Sequence, residues 1–164
     1  DGEAAAREWA KGLVKNLARK PQGNDRAQAK AIYSGECDVA LMNTYYYGKM
    51  KFNNKNPEQK KWADSLRLVF LDQTGRGQHV NISAAAVLKA SKKQAAAVEF
   101  IEWLTSPEAQ LLYTKVNYEY PVNPKVNPSK EVASWGRFKI DEVSLTDIAK
   151  NTPLAQMIIN ETGW

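Results

Sequence analysis

The chain has 164 residues, enough for one domain or a piece of a larger one, and carries a net charge of +5. Hydrophobic residues make up 43% of it, with five Trp and seven Tyr spread along its length, which excludes a disordered polypeptide. No apolar run approaches the roughly 20 residues that cross a bilayer, so membrane insertion is not expected, and the single cysteine, Cys37, excludes an intrachain disulfide and any zinc site built on two or more cysteines.

The opening Asp1-Gly2-Glu3 runs straight into Ala4-Ala5-Ala6, an acidic first turn entering a helix. Such an abrupt start is expected of a processed chain, or of one that begins part-way into a longer polypeptide. Ala5, Trp9, Leu13 and Leu17 recur at four-residue intervals and predict an amphipathic helix over residues 4–18. The turn cluster Pro21-Gln22-Gly23-Asn24-Asp25 ends it. Asn24 or Asp25 can cap a second helix over residues 26–33, which Gly35 stops.

Residues 37–42 contain Val39, Ala40, Leu41 and Met42 and have the length of a buried strand. Asn43 or Thr44 then caps a helix that begins at Tyr45, Tyr46 and Tyr47. Pro57 suits the first position of a helix running to about residue 65. Residues 66–71 (LRLVFL) predict another strand, and 80–83 and 86–89 two further extended segments. A helix is expected over 92–104, with Ala95, Ala96, Phe100, Ile101 and Leu104 on one side, and Ser106-Pro107-Glu108 opens the next, ending near Val116. Residues 117–143 read as irregular and proline-rich, and 144–149 and 153–159 as two short closing helices. Alternating strands and helices point to an α/β fold.

Neighbours on a helix point about 100° apart, so three consecutive tyrosines cannot all face one core. At a helix start that follows a strand, two of them can face the crevice where open α/β sheets bind ligands. A phenol ordinarily ionises near pH 10, but a trivalent cation can displace its proton and hold the hard anionic oxygen. The plainer reading, which the residues alone favour, is three half-buried aromatics that tip their hydroxyls to water.

Five short segments occur in order: Gly23-Asn24-Asp25-Arg26-Ala27-Gln28, Gly35-Glu36-Cys37-Asp38-Val39-Ala40, Asn43-Thr44-Tyr45-Tyr46, Ser83-Ala84-Ala85-Ala86-Val87-Leu88-Lys89 and Glu119-Tyr120-Pro121-Val122-Asn123-Pro124. Together they resemble the ferric-iron-binding proteins of ABC importers, which have the type II periplasmic binding protein fold. The resemblance implies a two-lobed clamp that holds Fe(III) in its cleft and delivers it to an ABC transporter permease, from the periplasm or from a lipid tether outside a Gram-positive cell. It implies Tyr45 and Tyr46 as the metal ligands and leaves Tyr47 to packing. It also implies that residues 1–75 belong to the second lobe, 76–85 to the inter-lobe crossover, and 86–164 to a return segment packing on the first lobe. Further iron ligands from a missing N-terminal lobe, and a synergistic anion such as carbonate, would complete the coordination. Without them, this chain alone should bind iron weakly, and its return segment should expose apolar surface.

Asn24, Asp25 and Arg26 lie at a helix start, where backbone N–H groups favour an anion, and the resemblance implies that this loop helps hold one. Asn43 has a similar supporting role by the same resemblance; plain helix capping is the alternative. His79 is not expected to be a ligand, and Cys37 is expected in the core. Two other readings remain: the same fold carrying a small anion or polyamine, and a basic nucleic-acid module stacking bases on tyrosine. The scattered lysines and arginines disfavour the second. No phosphate loop, paired metal-hydrolase histidines or nucleophile elbow points to an enzyme.

Overall fold

A computed structural model describes residues 2–164. Its first helix, α1 (Gly2–Lys15), ends three residues before the predicted limit. Only Ala10 is buried on it, and Trp9 lies outside the core against Trp164, ring to ring at 5.6 Å. The partner of α1 is the long closing helix α8 (Leu145–Thr162), to which Arg7 is also tied through Glu161.

The small core lies elsewhere. Helices α2 (Asp25–Tyr33), α3 (Thr44–Lys51) and α4 (Pro57–Asp64) pack on one another. Each contributes one residue sealed from water, Ala29, Met50 and Ala63 respectively. Met42, Tyr47, Trp62 and Leu66 close around them. Local chemistry explains the boundaries. The Asn24 side chain accepts from the Ala27 N–H at 3.2 Å and starts α2, and Gly35 ends it at φ +74°, a conformation cheap only for glycine. Pro57 opens α4 at the position where its missing N–H costs nothing.

Helix α5 (Gln94–Leu104) has no buried residue and contacts α6 (Pro107–Leu112), which Ser106 caps by accepting from the Ala109 N–H. A π-helical turn, Tyr113–Asn117, follows and ends in Tyr118 at φ 58°. The left-handed backbone of Tyr118 sets its ring over α3, stacked on Phe52 at 5.6 Å and against Gly48. A short helix, α7 (Lys130–Ser134), occupies part of the stretch expected to be irregular. Its signal was a Ser129 cap after Pro128; the Ser129 hydroxyl accepts from the Val132 N–H. Phe70, Tyr120, Trp135 and Phe138 form an aromatic cluster beside it, with Phe70 and Phe138 stacked at 4.2 Å.

Three expectations need correcting. The predicted strands at 37–42 and 66–71, and the extended segments at 80–83 and 86–89, build no sheet; among the described residues the only β pairing is an isolated parallel bridge between Gln78 and Ile140. A strand exists only with a neighbour to share its N–H and C=O groups, and these segments meet none. Some of their apolar side chains lie open, Val39 at 82% and Leu88 at 78% exposure, while Met42 and Leu66 reach the helical core. The two closing helices are one, with Pro153 inside it. Pro153 removes only the N–H that would have met the Ala149 carbonyl, and the helix continues through it; Asn151 Nδ2 donates to Asp147 O at 2.8 Å and Thr152 Oγ1 to Ile148 O at 3.0 Å in the turn before it. Cys37 is half-buried instead of in the core, since the sheet that would have covered it is absent.

Candidate metal centre

Three tyrosines open α3, and the helix separates their roles by direction. Tyr47 turns inward onto the core and meets Trp135 edge-on at 5.8 Å. Tyr45 and Tyr46 lie side by side and half-buried, their ring centroids 4.4 Å apart and the planes tilted by 34°. Two cations lie over these rings: Arg26 Cζ is 4.8 Å from the Tyr46 centroid, and Lys49 Nζ is 4.9 Å from that of Tyr45. The role of Lys49 was readable in principle, because a residue four positions after Tyr45 shares its helix face.

The Tyr45 phenol is pushed up to about 12. The main cause is a hydrogen bond with the Tyr46 hydroxyl; partial burial and the negative charges of Asp25 and Glu119 add to it. At neutral pH this oxygen therefore keeps its proton until something stronger displaces it. Among the described residues no group of three or more His, Cys, Asp or Glu could hold a metal ion.

The supporting residues converge on the same helix start. Asp25 Oδ1 accepts from the Asn43 backbone N–H at 2.7 Å and from Asn43 Nδ2 at 3.1 Å. Asn43 Oδ1 accepts from Asn81 Nδ2 at 3.2 Å, so both ends of its carboxamide are engaged and it does not cap α3 through its side chain. Arg26 Nε donates to Gln59 Oε1 at 3.2 Å. The fold thus brings Asp25, Arg26, Asn43, Tyr45 and Tyr46 into one chain of contacts, while Asn24 is engaged in the α2 cap. Asn81 and Glu119 were not singled out from the sequence. Glu119 accepts from Ser83 Oγ at 2.8 Å and also from Asn117. His79 lines a separate cavity of about 410 Å³ with Arg76, Asp141 and α8 side chains, and neither tyrosine lines it.

The chain belongs to the bacterial extracellular solute-binding protein family, whose model matches residues 1–140. It is similar to iron uptake protein A1 of Synechocystis sp. PCC 6803, with 46% identity over 164 residues, covering 100% of this chain and 45% of that protein. The major ferric iron-binding protein of Neisseria meningitidis is 32% identical over 159 residues, covering 96% of this chain and 45% of that protein. Among solved structures, a ferric binding protein from Campylobacter jejuni superposes with a TM-score of 0.93 at 44% identity, covering 99% of this chain and 51% of that one. A Trichodesmium protein in complex with iron and citrate superposes with a TM-score of 0.93 at 40% identity and the same coverage. The chain therefore spans about half the length of these relatives, and its fold is that of about half of a periplasmic binding protein. No helix among the described residues is long and apolar enough to cross a membrane.

Proposed function

We propose that this chain is the part of a ferric-iron-binding protein that supplies two phenolate ligands, Tyr45 and Tyr46, to iron held in an inter-lobe cleft. The observation that carries the reading is the half-buried pair itself: two adjacent phenols at a helix start with their rings 4.4 Å apart. The relatives named for iron uptake and ferric-iron binding support it.

Fe(III) is a hard, highly charged ion, and phenolate is a hard donor. Each phenol gives up its proton as the metal–oxygen bond forms. Two oxygens leave most of an octahedral ion uncovered, so further ligands come from the rest of the protein and from an anion such as carbonate or citrate. On this reading residues 1–75 belong to the second lobe, 76–85 to the crossover and 86–164 to a return segment on the first lobe. The first lobe would cover the apolar face that α5 leaves open, where Phe100 is 58% exposed. The loaded protein hands its ion to an ABC transporter permease at the outer face of the cytoplasmic membrane, and no reaction is catalysed.

Titration of the full native chain with ferric citrate tests this. The wild type should develop a visible phenolate-to-iron absorption band, and Tyr45→Phe and Tyr46→Phe should each lose or strongly weaken it. A double Phe variant that keeps both band and affinity would overturn the assignment. Binding of a polyamine or small anion with indifference to iron would favour another cargo on the same fold.

A further inference from the structure

We infer that Asp25 is a positioning residue for the tyrosine pair: it holds the entry of α3 through Asn43 and thereby aims Tyr45 and Tyr46. The inference rests on the iron-binding reading above and goes beyond it. Asn43 is the residue immediately before α3, and its backbone N–H is not used by that helix. Asp25 Oδ1 takes that N–H at 2.7 Å and the Asn43 carboxamide at 3.1 Å, so one oxygen clamps backbone and side chain together. From the far side, Asn81 Nδ2 reaches Asn43 Oδ1 at 3.2 Å. Asn43 is thereby fixed from two directions, two residues before Tyr45.

The adjoining Arg26 places its guanidinium over the Tyr46 ring at 4.8 Å and is itself steadied by Gln59. The first turn of α2 therefore grips the first turn of α3 at two points. A ligand pair on a helix start is only as well aimed as that start is fixed, because small displacements of donor atoms weaken a coordination bond steeply. A carboxylate already committed to two N–H donors is also a poor partner for an anion, so this role replaces anion binding for Asp25 and Asn43.

Because both bonds fall on the same oxygen, substitution separates geometry from charge. Asp25→Asn keeps an Oδ1 acceptor and removes the charge; Asp25→Ala removes both. In the full native chain without iron, hydrogen exchange at the Asn43 amide should speed up about tenfold or more in Asp25→Ala and stay near wild type in Asp25→Asn. In ferric citrate titrations Asp25→Ala should lose about tenfold or more in affinity, with a shifted or broadened phenolate-to-iron band, and Asp25→Asn should restore both. Unchanged exchange and affinity in Asp25→Ala would overturn the inference. So would an Asp25→Asn variant that folds yet loses as much affinity as Tyr45→Phe; that arm decides the matter even if the alanine variant fails to fold. A wild type with no iron band would sink the iron reading, while the exchange arm would still decide whether Asp25 holds the α3 entry.

Discussion

Gly48 and Tyr118 are in direct apposition: a Cβ at position 48 would come within 2.4 Å of the Tyr118 ring and 2.8 Å of its Cβ. The tyrosine helix has a glycine there because the chain leaving the π-helical turn lays Tyr118 across it. The obstacle lies close to a left-handed backbone and not at the end of a flexible side chain, so it cannot easily yield.

Gly48→Ala therefore sets two effects against each other. Alanine gains about 1 kcal/mol in helix propensity, and overpacking costs about 1–3 kcal/mol. The overpacking term should win, lowering the midpoint of thermal unfolding of the full native chain by several degrees. An unchanged or raised midpoint would show that Tyr118 moves aside freely.

Met50 is sealed from water at the junction of α2, α3 and α4, about one turn beyond the tyrosine pair. Met50→Ala should destabilise the protein by about 2–5 kcal/mol, read from urea denaturation midpoints. Substitution of the exposed Lys60 on α4 should leave the midpoint nearly unchanged.

Iron binding should weaken as the solution becomes more acid. The Tyr45 phenol, raised to about 12, is protonated throughout the neutral range, so its use as a ligand releases a proton. Apparent affinity should fall by about tenfold per pH unit for each phenol that ligates, about a hundredfold for two. Competition titrations between pH 6 and 8, corrected for iron hydrolysis, give the slope. A slope of zero would exclude protonated phenols as ligands.

Burial pushes the Tyr120 phenol up to about 12, and its hydroxyl donates to Gly136 O at 3.1 Å. A folded-state value above the unfolded one near 10 means the neutral phenol stabilises the fold below pH 10, and that this contribution is lost as the pH rises from about 10 to 12. Thermal midpoints should drop over that window more steeply in the wild type than in Tyr120→Phe. Parallel curves would place the alkaline loss elsewhere.

Residues 1–164 prepared alone should bind a hydrophobic dye and self-associate. Phe100, Trp103, Leu112 and Val116 are exposed along α5, α6 and the turn after them, and Val39, Leu41 and Leu88 are open on the unpaired segments. In the full native chain both behaviours should largely disappear. Dye binding that persists there would count against the proposed first lobe as the cover of this face.

Features that depend on near neighbours were legible in the sequence. Asn24 and Ser106 mark helix starts through bonds to residues three positions away, Pro57 through its own ring, and Gly35 marks a stop through its own backbone. The strands were not legible in the same way: the apolar runs at 37–42 and 66–71 are real, but a strand is made by its partner, and no partner follows from the run itself. Pro153 misled because a proline inside a helix removes a single N–H donor, and α8 is held along its length by packing on α1, which the local sequence does not show. Within the candidate site, the inward turn of Tyr47 follows from helical geometry, and the prominence of Tyr45 and Tyr46 from their place at a helix start. The clamp of Asp25 on Asn43 spans 18 positions, and each of those residues reads locally as a cap.

The most direct test of the account is an iron-edge anomalous diffraction map of the full native chain crystallised with Fe(III). A single strong peak within bonding distance of both the Tyr45 and Tyr46 hydroxyl oxygens is the expected result. Iron bound elsewhere, with neither of these oxygens in its coordination sphere, would contradict it.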